Sequence, residues 1–291
     1  MHGFFYGNWF IGLCAVALGV EAAMQQEVPL NGAWYHVLVF LSCVVFYNHA
    51  YRGATAERAT DDRMRWHVRH AERRRVVRRV LVLALVLGAS GALYVYRDAL
   101  LAAGPLPWAL LLIFPLVALA YNGWGGVALR NIGWSKPFVL GFVWAGITTV
   151  YPVLVHAIIT RAPMPDMALT ARLFFKNMMF CAMLAVLFDI KDHADDHRNA
   201  LRTFVVQRGL RTTLFRIVLP LTLLGLLSFL GYGAAHDFSA MKLLLNAIPF
   251  VALVAVVYAL RKRRSILFYL AVVDGLFLLK AVCGSLAMRW F

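Results

Sequence analysis

The chain has 291 residues, 62% of them hydrophobic and 15% charged, with a mean hydropathy of +0.71. That composition excludes a soluble globule of this size. The formal charge of +15 is no nucleic-acid signature, because the cations gather in the loops between apolar stretches.

Taken in chain order, segments long enough to span a bilayer recur nine times. They run over 4–24, 34–51, 76–96, 106–122, 137–159, 168–188, 212–231, 241–260 and 266–288. The first is a short apolar run followed by Glu21. No basic segment precedes it, which argues against a signal peptide. The second ends in Phe46-Tyr47-Asn48-His49-Ala50-Tyr51-Arg52 and opens a loop with ten arginines between Arg52 and Arg79. Trp66 in that loop reads either as an interfacial anchor or as a cap over an interior site. The run Arg73-Arg74-Arg75-Val76-Val77-Arg78-Arg79 reads as a topological anchor for the third span.

The fourth span ends at Tyr121, and the loop after it carries Arg130 and Lys136. The sixth contains Lys176 and Asn177, the seventh Arg216, and the ninth Asp274 and Lys280. Charges inside spans are expected to face the bundle interior and pair, although Lys280 lies close enough to a helix end to snorkel. The four cysteines, Cys14, Cys43, Cys181 and Cys283, form no CxxC pair and read as packed small hydrophobes.

The loops after the second, fourth, sixth and eighth spans hold 21 of the 29 Lys and Arg residues. This asymmetry places those loops and the N-terminus in the cytoplasm and the C-terminus outside. The expectation is an integral protein of a bacterial inner membrane, with residues 1–291 as one all-α domain. The basic loops favour anionic headgroups of the surrounding lipid bilayer.

One stretch carries the chemistry. Asp189-Ile190-Lys191-Asp192-His193-Ala194-Asp195-Asp196-His197-Arg198 lies where the sixth span meets a basic loop. At about 100° per residue, Asp189, Asp192 and Asp196 share one helix face while Asp195 points elsewhere. Carboxylates that close repel, and a counter-cation is expected. Mg²⁺ is the natural candidate, since it takes one or two carboxylates and shares its shell with phosphate oxygens and water. A solvated helix end, with Lys191, Arg198 and Arg202 as partners, accounts for the local sequence equally well.

Nine spans with an Asp-rich loop after the sixth resemble the UbiA superfamily of intramembrane prenyltransferases. The stretch from Asp189 resembles that family's second Asp-rich motif, and Leu201-Arg202-Thr203 and Gly209 resemble its continuation. Tyr121, Leu129-Arg130 and Lys136-Pro137 resemble its aromatic-then-basic loop. The resemblance implies an all-α polytopic bundle that moves a polyprenyl group from its diphosphate to an aromatic or lipid acceptor. It implies Mg²⁺ held by Asp192 and Asp196, with Asp189 assisting and Asn48 completing the metal or phosphate shell. Arg52, Arg130, Lys136, Lys191 and Arg198 would contact the diphosphate, and Tyr121 would face the isoprenoid or the cation formed from it. The partners expected are a polyprenyl diphosphate, a hydrophobic acceptor and the bilayer, with no nucleic acid and no protein partner.

The family's first motif is broken. Asn48 is present, but Arg52 and Ala56 stand where its two Asp residues would be. Three accounts follow. Arg52 replaces a metal by gripping the phosphate directly; Asp61 or Asp62 folds back from the loop; or the protein binds an isoprenoid or lipid without transferring it. Two rivals have their own residues. His67-x-x-His70 and the i, i+4 pair His193 and His197 could ligate iron or zinc, and the intramembrane charges could mark a transport pathway.

Overall fold

The computed structural model describes residues 2–49, 51, 61–123, 128–129, 132–164, 166–198 and 203–291; the side chains of 192 and 194–198 lie outside that description. The described residues form helices and connecting turns with no strand.

Each expected span corresponds to a helix. These are α1 (Trp9–Gln25), α2 (Ala33–His49), then, after a short loop helix α3 (Asp62–Arg69), α4 (Ala71–Val95) and α5 (Pro105–Tyr121). The rest are α6 (Gly133–Thr160), α7 (Met167–Arg198), α8 (Leu210–Ala235), α9 (Ala240–Ala259) and α10 (Ile266–Trp290). The helices α4 and α6 to α10 are long and apolar enough to cross a membrane. The helices α1, α2 and α5 have 17 residues each, or about 25 Å.

Local chemistry sets the boundaries. Pro105 opens α5, where its missing N–H would have had no partner in any case. Ser239 caps α9 by accepting from the Lys242 amide at 3.2 Å. Three helices widen into π turns, at Gly146–Val150 in α6, Thr213–Val218 in α8 and Tyr269–Val273 in α10. The first two end just before Pro152 and Pro220, each of which removes one rung of the helical ladder. At Gly146 the chains approach so closely that a Cβ would overlap the Phe114 ring of α5.

The core lies among α1, α7, α8, α9 and α10. Leu184, Leu187, Leu214, Leu253 and Val273 are fully buried there. By contrast α4 is an outer helix. Leu81 is its one buried residue, while Val80, Leu83, Val86 and Leu87 are exposed. An apolar face left bare in this way is a lipid-facing face.

A buried polar cluster joins the helices far from the arginine-rich loops. Lys280 donates to both oxygens of Glu21, at 2.8 and 2.7 Å. Gln25 donates to Glu21 at 2.9 Å and accepts from Lys176 at 3.2 Å. Gln26, just past the end of α1, donates to the Thr149 carbonyl and accepts from Thr170, and Asn177 donates to the Thr149 hydroxyl. Lys280 therefore does not snorkel. It lies ten residues inside the end of α10, and the missing side chain of Gly284 leaves room for the Glu21 carboxylate beside it. Arg216 departs from the interior expectation in the other direction. It is exposed within two turns of the start of α8, where snorkelling suffices. The cysteines are free thiols as expected, with Cys14, Cys181 and Cys283 buried and Cys43 half-buried.

Candidate functional site

The second Asp-rich stretch is the last part of α7, and its backbone stays helical through Arg198. This supports the shared face of Asp189, Asp192 and Asp196, because helical register alone fixes it. Asp189 is 7% exposed, and Lys136 donates to its Oδ1 at 3.1 Å. Lys136 sits in the first turns of α6, behind a 3-10 turn at Gly133–Ser135. Ser135 tightens that turn by donating to the Ile132 carbonyl at 3.0 Å. The basic loop after the fourth span and the acidic end of α7 thus meet through the Lys136–Asp189 ion pair.

Two residues further along α7, the Lys191 ammonium lies 3.9 Å from Asp61 Oδ2. Asp61 also caps α3, accepting from the Met64 amide at 2.7 Å. The arginine-rich loop therefore does fold back to α7, and Asp61 is the residue that reaches it. Asp62 does not, because it faces solvent and pairs with Arg65 at 3.4 Å.

The first turn of α3 inserts Arg63 into the protein, leaving it 5% exposed. Its Nη2 donates to Asn8 Oδ1, and its guanidinium lies 4.5 Å from the Tyr51 ring centroid. Asn8 has φ 65°, a left-handed conformation that asparagine tolerates well. Asn8 in turn donates to Asn48 Oδ1 at 3.2 Å. Asn48 donates to the Gly7 and Val44 carbonyls at 3.0 and 2.9 Å. Asn48 thus locks α2 to the start of α1, and one lone pair on Oδ1 remains for another ligand. Arg63 Nε is buried with no hydrogen-bond partner among the described residues.

His67, one turn on in α3, is fully buried and stacks on Tyr51 at 4.2 Å. Burial, with Arg74 and Arg63 nearby, lowers its pKa to about 2. Both its ring nitrogens lack hydrogen-bond partners among the described residues. His70 is tied to its own helix, 2.9 Å from the Trp66 carbonyl. The His67/His70 pair therefore packs the loop helix, and no group of three His, Cys, Asp or Glu converges among the described residues.

Aromatic rings lie along the helices that carry these groups. Tyr121 is 6.2 Å from Phe46. Tyr47 accepts from Trp144 Nε1 at 2.8 Å, and Trp144 stacks on Phe277 at 4.7 Å. The backbone of Asp274 accepts from Cys14 Sγ at 3.6 Å, and the residue is 8% exposed.

Of the residues expected from the sequence, Asn48, Lys136, Asp189 and Lys191 gather at this end, with Tyr121 beside Phe46 of α2. Arg52 and Arg130 lie outside the described residues, as do the side chains of Asp192, Asp196 and Arg198. Asn8 and Arg63 are additions, and His67, read from the sequence as half of a metal-binding pair, is instead a packed residue of α3. The sequence signal for α3 is Asp61, a capping residue ahead of an amphipathic stretch.

No protein-family model matches the chain, and no curated protein matches it by sequence. The fold is similar to that of a digeranylgeranylglyceryl phosphate synthase described in membranes. That likeness has a TM-score of 0.56 at 11% identity and covers 100% of both chains. The all-helical architecture is thus similar to that of this synthase over the whole chain.

Proposed function

We propose that this chain is a UbiA-type intramembrane prenyltransferase that moves a polyprenyl group from its diphosphate to an aromatic or lipid acceptor. The observation that carries this reading is the whole-length fold likeness to a prenyl-transferring synthase. The convergence of α6, α7 and the arginine-rich loop at one end supports it. The charge asymmetry of the loops makes that end cytoplasmic, with the C-terminus external, in a bacterial inner membrane.

Asp192 and Asp196, with Asp189 and the remaining lone pair of Asn48, would supply the all-oxygen donors that suit Mg²⁺. Bound there, Mg²⁺ would neutralise the diphosphate and make it a competent leaving group. Lys136 fixes the Asp189 carboxylate by donating to its Oδ1. Lys191, Arg130 and Arg198 add positive charge around the diphosphate, and Arg52 remains a candidate from the loop.

Arg63 answers the loss of the first Asp motif. A buried guanidinium joined to Asn48 through Asn8 supplies positive charge at this end of the protein, and it needs no metal to do so. The apolar helices exclude water from the allylic cation, and the faces of Tyr47, Tyr121 and Trp144 suit a cation. A second reading is an isoprenoid-binding relative that does not turn over. It is favoured by Arg52 and Ala56 at the two Asp positions.

The test is thermal melting of the purified protein with geranylgeranyl diphosphate, with and without Mg²⁺. A ligand that binds the native state raises Tm. Mg²⁺-dependent stabilisation that disappears in Asp192→Ala/Asp196→Ala is the expected result. Product formed with an acceptor then separates transfer from binding. No stabilisation across several chain lengths would remove the diphosphate site.

A further inference from the structure

Two adjoining clefts lie on the outside of the bundle, and Asn48 is the residue that the first shares with the site above. The first, of about 360 Å³, lies between the start of α1, the end of α2 and the first turns of α4, under α3. Arg73, Arg74 and Arg78 line it, together with Trp9 and Trp66. The second, of about 590 Å³, runs along α4 beside α2, with Val45, Val82, Leu83 and Val86 as walls. Arg78 lines both, and among the described residues the charged side chains that line them are arginines.

We propose that the paired clefts bind one anionic phospholipid, with its phosphate among the three guanidiniums and an acyl chain along the valine-lined groove. The charge is complementary, since guanidinium grips phosphate oxygens with paired donors. The depth is correct as well. The arginines occupy the first two turns of a helix whose next turns, at Val80, Leu83, Val86 and Leu87, are bare and apolar. Headgroup and chain thus meet their own solvents within one site. Trp9 and Trp66 flank the headgroup end, and amphipathic rings of this kind settle at that depth. A run of basic residues that only set topology would need no cleft. Here Arg74 is held back against the protein, donating to the His67 carbonyl at 3.4 Å, and so lines a preformed pocket. The lipid contacts rest on Arg73, Arg74 and Arg78 and not on Asn48, so they stand whether or not the chain transfers a prenyl group.

The experiment is native mass spectrometry of the purified full-length protein with dioleoyl phosphatidylglycerol or with phosphatidylcholine of the same chains. The wild type should retain phosphatidylglycerol preferentially. Arg73→Gln/Arg78→Gln should weaken that retention by about 30-fold and leave phosphatidylcholine unchanged. Arg73 is exposed, so Arg73→Gln alone folds safely and should cost about fivefold. Equal retention of the two lipids, or retention unchanged in Arg73→Gln, would overturn the site. Inorganic phosphate is the third arm. If millimolar phosphate displaces the lipid, the pocket belongs to a soluble anion and the lipid assignment is wrong.

Discussion

Burying Glu21 and Lys280 together inside the bundle is costly unless each satisfies the other. Lys280 engages both carboxylate oxygens, and Gln25 adds a third hydrogen bond. Removing one partner leaves a charge stranded, whereas removing both leaves none. Lys280→Met should therefore destabilise the protein by about 3–5 kcal/mol, while Glu21→Gln/Lys280→Met should recover most of that loss. Thermal unfolding followed by tryptophan fluorescence reads both variants. A double variant no more stable than the single would mean that the pair is uncoupled. The sequence shows each residue as a polar intruder in an apolar segment. It cannot show the pairing, because 259 positions separate the two and the long-range contact is made by packing alone. The same limit applies to Asp189 and Lys136. The sequence singles out both residues, but not as partners.

At the scale of elements, the membrane helices were legible and α3 was not. A span announces itself through a long apolar run bounded by Gly, Pro or charge, and every expected run is helical. The short helix α3 has mixed polarity and lies in a loop dense with arginine, so periodicity gives little warning of it. What docks it is Arg63 on Asn8 and His67 on Tyr51. That docking should be acid-sensitive. The folded protein holds the His67 pKa at about 2, down from 6.5, so between those values the unfolded chain binds a proton that the native state refuses. The contribution is fully present above about pH 6.5 and falls as pH drops, by at most about 1.4 kcal/mol per pH unit. Acidification from about pH 7 to about pH 5 should thus lower Tm more in the wild type than in His67→Phe, which keeps the stack on Tyr51 without the titration. Parallel slopes in the two proteins would show that His67 stays accessible to protons.

At the scale of the whole molecule, loop charge and helix count constrain each other. The groups near the Asp-rich end of α7 come from the N-terminal ends of α1, α6 and α10, the C-terminal ends of α2 and α7, and the loop helix α3. Alternate crossings bring those ends to one side only if each of α1 to α10, α3 excepted, traverses the bilayer. The weakest links are α1, α2 and α5, at about 25 Å against a hydrocarbon core of about 30 Å. Each is flanked by residues suited to an interface, such as Trp9, Trp34 and Trp108. Local thinning or these anchors can absorb a mismatch of that size for fractions of a kcal/mol per Å. Reporter fusions test the count directly. Alkaline phosphatase fused after Phe291 should be active, and fusions after Arg211 or Lys262 should be inactive, with a cytoplasmic fluorescent reporter giving the reverse pattern. An inactive fusion at Phe291 alone would place the failure within α10. Inversion of all three would mean that one of the 17-residue helices α1, α2 or α5 lies on the membrane rather than through it; if that helix is α5, Asp189 and Asn48 fall on opposite faces.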